Sequence, residues 1–328
     1  MALPYPMPWT VRGGEQTAGV PRTELGASGF VHLRRGAWAA PGVDVRHPDV
    51  RIAGVVATMP PDAVLGGWSA ARLHEWAACD DGLDVFDGGL SWEDLRGPGP
   101  SLPDVARVVL CVPRDSRLAL RSDVRVFRTP VGADQRLVVG GVPVTTGDRT
   151  AFDLARRLPL HQAVVGLDRL LHLGVATREG VVSVMSSSRR WRGIAAARRS
   201  LRLADEGSES PQESLLRLAW IAAGFPVPRA NRVVRDLDGR FVARVDLVDG
   251  DAGVVGEYDG AVHADAARRS DDARRQEGLD SLGLVVVRAT AVDLLPGGVA
   301  AWQRRLRGGY QRAGRRPAAA RRWTIADV

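Results

Sequence analysis

Apolar and polar residues alternate in two neighbouring stretches toward the end of the chain. In residues 241–248 (FVARVDLV) Val245 and Leu247 point to one face of an extended strand, whereas Arg244, Asp246 and Val248 point to the other. A turn-rich segment (DGDAG) follows, and residues 254–260 (VVGEYDG) predict a second strand. The lengths of the two strands and of the turn between them favour an antiparallel pair. Asp246 is then expected opposite Gly256 or Glu257.

A helix is predicted before this strand pair, in residues 210–228. Ser210 stands at the N-cap, Pro211 at the first helical position and Glu213 three residues after the cap, which is the spacing of a capping box. One role for Glu213 is therefore structural, with its carboxylate turned back to the backbone N–H of Ser210.

A further helix and strand are predicted after the pair. Residues 265–282 have helical spacing with Leu279 and Leu282 on the inner side. The continuous apolar run 284–289 (LVVVRA) predicts a buried strand reached through a helical crossover. Arg288, near the end of that strand, is expected close to the acidic residues.

The middle of the chain mixes both periodicities. Residues 63–78 have helix-like apolar spacing, and residues 106–112 and 124–127 are strand-like runs. A helical half begins near residue 146, with Thr146 or Asp148 as its N-cap. This region is predicted to be an α+β domain.

The first part of the chain allows two interpretations. Residues 23–27 predict a short helix, and residues 30–38 alternate apolar and polar. The pattern resembles the helix and β-wing of a winged helix, in which Arg34 and Arg35 would contact nucleic acid. The alternative is a short β-hairpin that packs on the next region.

The predicted fold class is α/β (α+β), with a mixed C-terminal sheet flanked by helices. Composition and turn signals divide the chain into a winged-helix-like segment, an α+β middle domain, a nuclease-type domain and an Arg-rich tail, at residues 1–55, 56–205, 206–298 and 299–328.

Positive charge is concentrated at the end of the chain. The sequence contains no lysine, and all 45 basic residues are arginine. Residues 301–328 carry eight arginines against the single acid Asp327, so this segment alone has the whole-chain net charge of +7. It is either an arm that neutralises nucleic-acid phosphates, with Tyr310 and Trp323 to stack on bases, or a solvated, disordered tail.

Cysteine content and hydropathy predict a cytoplasmic protein. Cys79 and Cys111 lack the spacing of a zinc site and are expected to be small buried residues in a reducing compartment. The sequence contains no apolar run of membrane-spanning length, and no membrane partner is expected.

Paired carboxylates carry the strongest chemical signal. Glu257 and Asp259 are two apart in a strand and share a face, and Asp246 is expected to join them. Like charges placed opposite each other destabilise a sheet, and a divalent cation such as Mg²⁺ or Mn²⁺ would compensate them. This donor set suits phosphodiester hydrolysis, in which His263 would relay a proton.

Arginines beside these acids also allow two interpretations. In the helix 265–282, Asp271 and Arg275 are spaced to form an ion pair, and the arginines of this helix would either hold phosphates or form a solvated, salt-bridged face.

Several segments in order, SPQES, ARVDL, EYDGAVH and VVVRAT, resemble a family related to very-short-patch-repair (Vsr) endonucleases of the PD-(D/E)XK superfamily. The resemblance implies Glu213 as the helix-borne acid, Asp246 and Glu257 as strand-borne metal ligands, and Asp259 with His263 as a variant third motif. Asp259 stands where the superfamily usually has lysine.

The segments LRRGAWAAPG, AVLGGWSAARLHEW and VPVTTGDRTAFDLARRLP resemble actinobacterial proteins grouped with AbiEi-type antitoxins of toxin–antitoxin systems. That resemblance implies a winged-helix DNA-binding module and a cognate toxin.

The leading expectation is a metal-dependent DNA endonuclease acting in DNA repair, phage defence or a toxin–antitoxin setting. The alternatives are a DNA-binding antitoxin-type regulator with an inert nuclease-like domain, and an interaction module without a nucleic-acid role.

Overall fold

The structure, a computed structural model, divides into two compact units, Met1–Arg202 and Leu203–Val328. It describes residues 21, 23–79, 81–93, 104–118, 121–260, 266–295, 297–315 and 321–327, and only the backbone within 266–272. Helices and mixed sheets occur in both units, so the chain has the expected α+β class.

The N-terminal unit contains six α-helices and seven strands among its described residues. The strands are β1 (Val31–Arg34), β2 (Ala37–Ala39), β3 (Val64–Leu65), β4 (Val108–Val112), β5 (Val124–Arg128), β6 (Arg136–Val139) and β7 (Val142–Thr145). The helices are α1 (Pro48–Val56), α2 (Gly67–Ala78), α3 (Gly147–Arg157), α4 (Leu160–His172), α5 (Arg178–Ser187) and α6 (Ile194–Leu203). Two short 3-10 helices cover Leu90–Trp92 and Ala133–Gln135.

The start of the described chain is a hairpin on a helix. Strands β1 and β2 pair antiparallel, and Leu33 packs on Gly54 of α1. Residues 30–38 therefore contain a β-hairpin, an element that both interpretations include. The expected helix at 23–27 is wrong: this segment forms successive turns around the buried Leu25, and Gly26 and Gly29 at its end disfavour a helix.

The main sheet of the N-terminal unit has the strand order β5–β4–β3–β7–β6. The helix predicted from residue 63 begins at Gly67, because the preceding residues form β3 and Gly67 takes φ +53° at the turn into α2. Thr146 is the N-cap of α3, as expected, and its hydroxyl accepts a hydrogen bond from the backbone N–H of Arg149.

The C-terminal unit is one five-stranded sheet with helices. Its strands are β8 (Arg229–Asp236), β9 (Phe241–Asp249), β10 (Val254–Asp259), β11 (Val285–Thr290) and β12 (Trp323–Ala326), in the order β11–β10–β9–β8–β12. Its helices are α7 (Pro211–Ala222), α8 (Ala266–Leu282), α9 (Ala291–Leu294) and α10 (Val299–Ala313). Strands β10 and β11 are parallel, and the other neighbours are antiparallel.

None of the described helices is both long and apolar enough to cross a membrane.

The register of β9 and β10 agrees with the strand pair expected from the alternating pattern. Leu247 pairs with Gly256, so Asp246 lies at the level of Glu257. Helix α8 then crosses over to the buried strand β11, and Leu279 and Leu282 face the core as expected.

Helix α7 is fixed on this strand pair by a tryptophan. The ring of Trp220 is fully buried, and a Cβ at Gly256 would lie 2.9 Å from its Cζ3 atom. Strand β10 can approach the ring so closely only because residue 256 has no side chain. The contact sets the height of α7 over β9 and β10.

The segment expected to be an arm or a disordered tail is part of the C-terminal sheet and core. Its apolar residues fall on one face of α10, where Trp302 and Leu306 are buried, and β12 pairs with β8. Tyr310 and Trp323 are not available to stack on bases: Tyr310 stacks on Phe225 with ring centroids 3.8 Å apart, and Trp323 is buried.

Gly256→Ala is expected to lower the free energy of unfolding by about 1–3 kcal/mol, because the added methyl group overpacks the Trp220 ring. Urea unfolding followed by circular dichroism measures the change. Gly297→Ala is the matched control, since a Cβ there meets no atom within 4 Å. Equal stability of the two variants would contradict the tight packing of Trp220.

Candidate active site

Glu257 is the centre of a cluster of charged side chains in the C-terminal unit. It lies in β10, and only 6% of its surface is exposed. Its Oε1 atom is 2.6 Å from Nη2 of Arg275 on α8, and its Oε2 atom is 3.9 Å from Nε of Arg288 on β11. The buried carboxylate is therefore compensated by two arginines from the neighbouring elements.

Asp246 lies beside Glu257 on the adjacent strand. Its Oδ2 atom accepts a hydrogen bond of 2.8 Å from the backbone N–H of Tyr258. This bond fixes the carboxyl group against β10, as the register of the two strands requires.

Glu213 approaches the same region from the first turn of α7. Its carboxylate accepts hydrogen bonds from the backbone N–H of Glu209, the hydroxyl of Ser210 and the side-chain amide of Asn231. The structural role expected for Glu213 is thus present, although the backbone donor is Glu209 rather than Ser210. Three donors hold the carboxylate in place.

Electrostatics couples the three acids. Burial raises the pKa of Glu213, of Asp246 and of Glu257 above the usual value. The charge of Asp246 raises the pKa of both glutamates further, whereas the charge of Arg275 lowers the pKa of Asp246 and of Glu257. The repulsion between the carboxylates is the condition that a bound cation would relieve.

Arg275 and Arg288 lie where they were expected, next to the acids. Arg275 also donates from Nη2 to the backbone carbonyl of Arg244, and Arg288 donates to the side chain of Gln276. Nearly half of the Arg288 side chain is exposed, so it is the more accessible of the two to a phosphate.

Asp259 is less closely connected with this cluster. Asp259 is exposed at the end of β10, where it pairs in register with Thr290, and no hydrogen bond or ion pair among the described residues joins it to the three acids. His263 lies outside the described residues.

The remaining arginines expected to bind nucleic acid belong to the N-terminal unit. Arg35 is exposed in the hairpin turn. The Arg34 side chain is 9% exposed and forms an ion pair of 3.1 Å with Asp123.

Asn231 is a site residue that the sequence pattern did not single out. It takes a left-handed backbone conformation with φ +47° inside β8, and its amide joins Glu213 to the carbonyl oxygen of Gly207. Asparagine adopts this conformation more readily than most residues. The signal in the sequence was therefore its residue type, since it is the one amide side chain in β8.

The donor set fits a hard divalent cation by its chemistry. Carboxylate oxygens are the ligands that Mg²⁺ and Mn²⁺ prefer, and the buried Oε1 atom of Glu257 has no aligned hydrogen-bond donor. Among the described residues, no three acidic, histidine or cysteine side chains are already close enough together to enclose an ion.

Two curated proteins of Mycobacterium tuberculosis are similar to the chain. They are the uncharacterized proteins MT2308 and Rv2248, each 32% identical to it over 225 residues, a match that covers 67% of this chain and 82% of the relative. The chain belongs to the family of these two proteins. No family model and no solved structure matches it.

Asp246→Asn is expected to raise the free energy of unfolding at pH 7, because the neutral amide does not carry the desolvation cost of the buried, ionised carboxylate. The folded-state pKa of Asp246 is raised, so its protonated form favours folding. That contribution is complete below the unfolded pKa of about 3.9 and is lost as pH rises through the folded value. The asparagine can still accept from the N–H of Tyr258.

Urea unfolding at a series of pH values measures this effect, and the gain should fade below about pH 4. Asp238→Asn is the control, because the Asp238 side chain is 73% exposed in a turn of the same unit. A loss of stability in the Asp246 variant at pH 7 would show that the ionised carboxylate stabilises the fold.

Proposed function

We propose that the C-terminal unit is a metal-dependent DNA endonuclease domain of the Vsr-like PD-(D/E)XK type. The observation that carries the proposal is the approach of Asp246 and Glu257 on adjacent strands, with Glu213 electrostatically coupled to Asp246 from α7. The raised pKa of each acid supports it, because burial and repulsion are the cost of a carboxylate cluster that binds a cation.

Glu213, Asp246 and Glu257 would hold Mg²⁺ or Mn²⁺. Such an ion would lower the pKa of an attacking water molecule and stabilise the negative charge that develops on the leaving oxygen. For Glu257 to serve as a ligand, the Arg275 guanidinium must move off its Oε1 atom. We propose that Arg275 then pairs with a phosphate of the substrate, for which its planar donor fork is suited.

Other residues of this chain would orient the substrate and move protons. Arg288 is half-exposed beside Glu257 and would bind a phosphate next to the scissile one. Asp259, exposed at the end of β10, and His263 would take up or deliver the proton of the hydrolytic water.

Exposed arginines extend the positive surface beyond the acids. Helix α10 buries its apolar face and leaves arginines exposed on the other, namely Arg304, Arg305, Arg307 and Arg312. This is the charge distribution that phosphate contacts require. Four of the eight arginines of the terminal segment thus belong to a folded helix.

A second proposal is a DNA-binding regulator of AbiEi antitoxin type, with an inert nuclease-like domain and a cognate toxin as partner. One observation favours it: Glu257 is already compensated by Arg275, and Glu213 by three hydrogen-bond donors, so the acids are stable without a metal. Both proposals place the protein in the cytoplasm, in DNA repair, phage defence or a toxin–antitoxin setting.

Supercoiled plasmid incubated with the purified full chain and Mg²⁺ or Mn²⁺ tests the first proposal. Nicking is expected, and Asp246→Asn combined with Glu257→Gln should abolish it because both metal ligands lose their charge. Asp238→Asn, an exposed acid of the same unit, should cleave like the wild type. Mg²⁺ should also raise the melting temperature of the wild type and of this control, but not of the double variant.

Two results would change the function proposed for the C-terminal unit. Absence of cleavage and of metal stabilisation would refute the endonuclease. Salt-sensitive retention of DNA that survives the double substitution would then support the regulator, whereas absence of DNA binding would leave the interaction module.

A further inference from the structure

Strand β11 is an edge strand of the C-terminal sheet. It pairs with β10 on one side, and no strand among the described residues pairs with its other side. The backbone N–H of Val285 donates to the carbonyl oxygen of Gly253, so every second residue from Val285 bonds inward. Because successive residues of a strand direct their backbone groups to opposite sides, those of Val286, Arg288 and Thr290 point outward.

The outward backbone groups of β11 are only partly bonded. The N–H of Thr290 donates to Oδ2 of Asp293 at the start of α9, so the open edge ends there. The carbonyl oxygen of Arg288 accepts one long hydrogen bond of 3.4 Å from Nη2 of Arg305 on α10. Neither backbone group of Val286 has a hydrogen-bond partner among the described residues. An edge of this kind is a template for another extended chain.

A groove of about 470 Å³ lies at this open edge, and we call it the edge groove. It is lined by Val286, Val287 and Arg288 of β11, by Gln276 of α8, and by Arg305, Gly308 and Arg312 of α10. The two helices pack on opposite faces of the sheet, so the edge of β11 lies between them. The volume is within the range of roughly 300–1,000 Å³ that binding sites occupy.

Two glycines of α10 shape one wall of the edge groove. A Cβ at Gly309 would lie 2.8 Å from Cγ2 of Val287, so the helix lies against β11 only because residue 309 has no side chain. Gly308 faces the groove and likewise adds no side chain to it. The helix is thus close to the strand while the space beside the edge stays open.

Guanidinium groups form the charged surface of the edge groove, whose described lining contains three arginines and no acid. The side chains of Arg288 and Arg305 are each 47% exposed. The acids that pair with them are buried, since the Glu257 side chain is 7% exposed and the Asp293 side chain 12%. Arg312 is exposed and has no carboxylate partner among the described residues. The groove therefore presents positive charge to an incoming chain.

These features select among the chains that could occupy the edge groove. A second copy would place arginines against arginines, and charged side chains on an edge disfavour such self-pairing. A nucleic-acid backbone has no N–H donor for the carbonyl oxygen of Val286, and no aromatic side chain among the described lining residues could stack on a base. An acidic peptide in extended conformation satisfies both the backbone groups and the guanidiniums.

We propose that the edge groove binds an acidic, extended segment of a partner protein, which adds to β11 as a sixth strand. Its backbone bonds to Val286 and Arg288. Neighbouring side chains of an added strand point to opposite faces, so one acid meets Arg288 on the α8 side and the next meets Arg305 and Arg312 on the α10 side. The proposal does not depend on metal binding or cleavage by the acidic site.

The peptide Thr-Val-Glu-Glu-Val-Thr, labelled with tetramethylrhodamine, is the probe that tests this proposal. Fluorescence anisotropy with the full chain, in the absence of metal and DNA, measures its Kd. A control peptide with glutamine in place of both glutamates should bind about tenfold more weakly, because its pairing with the arginines is lost. A second control with N-methylated central amides keeps both charges and should also bind about tenfold more weakly, since it cannot donate to β11.

Three variants of the protein make the test specific to the edge groove. Arg312→Gln removes a cation from the lining and should weaken binding of the acidic peptide by about threefold or more. Arg307→Gln, the matched control, removes an exposed cation of the same helix outside the lining and should leave binding unchanged. Val286→Pro removes the outward N–H and should abolish binding, and proline is tolerated where the N–H of an edge strand faces solvent.

Several results would overturn the proposal. They are no saturable binding of the acidic peptide below about 1 mM, equal affinity for the three peptides, or equal effects of Arg312→Gln and Arg307→Gln. Binding of oligothymidylate that Arg312→Gln weakens, without peptide binding, would assign the groove to nucleic acid. Dimers of the wild type that Val286→Pro abolishes in sedimentation would assign it to a second copy. The comparison of the peptides on the wild type holds even if a variant fails to fold, which melting curves would reveal.

Discussion

The close contact between the Trp220 ring and the backbone of Gly256 fixes the geometry of the C-terminal unit. The ring holds α7 at a set height over β9 and β10, because a side chain at residue 256 would push the helix away. Glu213 lies two turns before Trp220 on the same helix, while Asp246 and Glu257 lie beside Gly256 in the strands. This packing contact therefore sets how closely Glu213 on α7 approaches Asp246 and Glu257 on the strands.

Placing these carboxylates close together has an electrostatic cost. Buried carboxylates resist ionisation, and the charge of Asp246 raises the pKa of Glu213 and of Glu257, so the cluster persists only where cations or aligned donors compensate it. In this structure Arg275 and Arg288 provide the compensation for Glu257. An arginine and a metal ion are alternative solutions to the same problem, and this competition distinguishes the two proposed functions.

Local sequence signals predicted much of the C-terminal unit and less of its interactions. The β9–β10 register followed from alternation and turn length, and the cap of α7 from Ser210 and Pro211. The pairing of Arg275 with Glu257 depends on how α8 packs, which no local pattern contains. In α10 the apolar spacing of Trp302, Leu306 and Tyr310 was present, but the high density of arginine obscured it. The ion pair of Arg34 with Asp123 was likewise not predictable, because a hairpin pattern does not determine which side faces its own domain.

The position of β12 near the end of the chain affects how the C-terminal unit folds during synthesis. It completes the sheet by pairing with β8, although the two strands are separated by the whole of the acidic site in sequence. Pairings of such long sequence separation form slowly, and β12 must leave the ribosome before this one can form at all. The N-terminal unit, with its own core, can fold during synthesis, whereas the edge of β8 stays unpaired until translation has passed Ala326. Until then that edge is open to other extended chains, and a chaperone or a partner strand has its opportunity to bind.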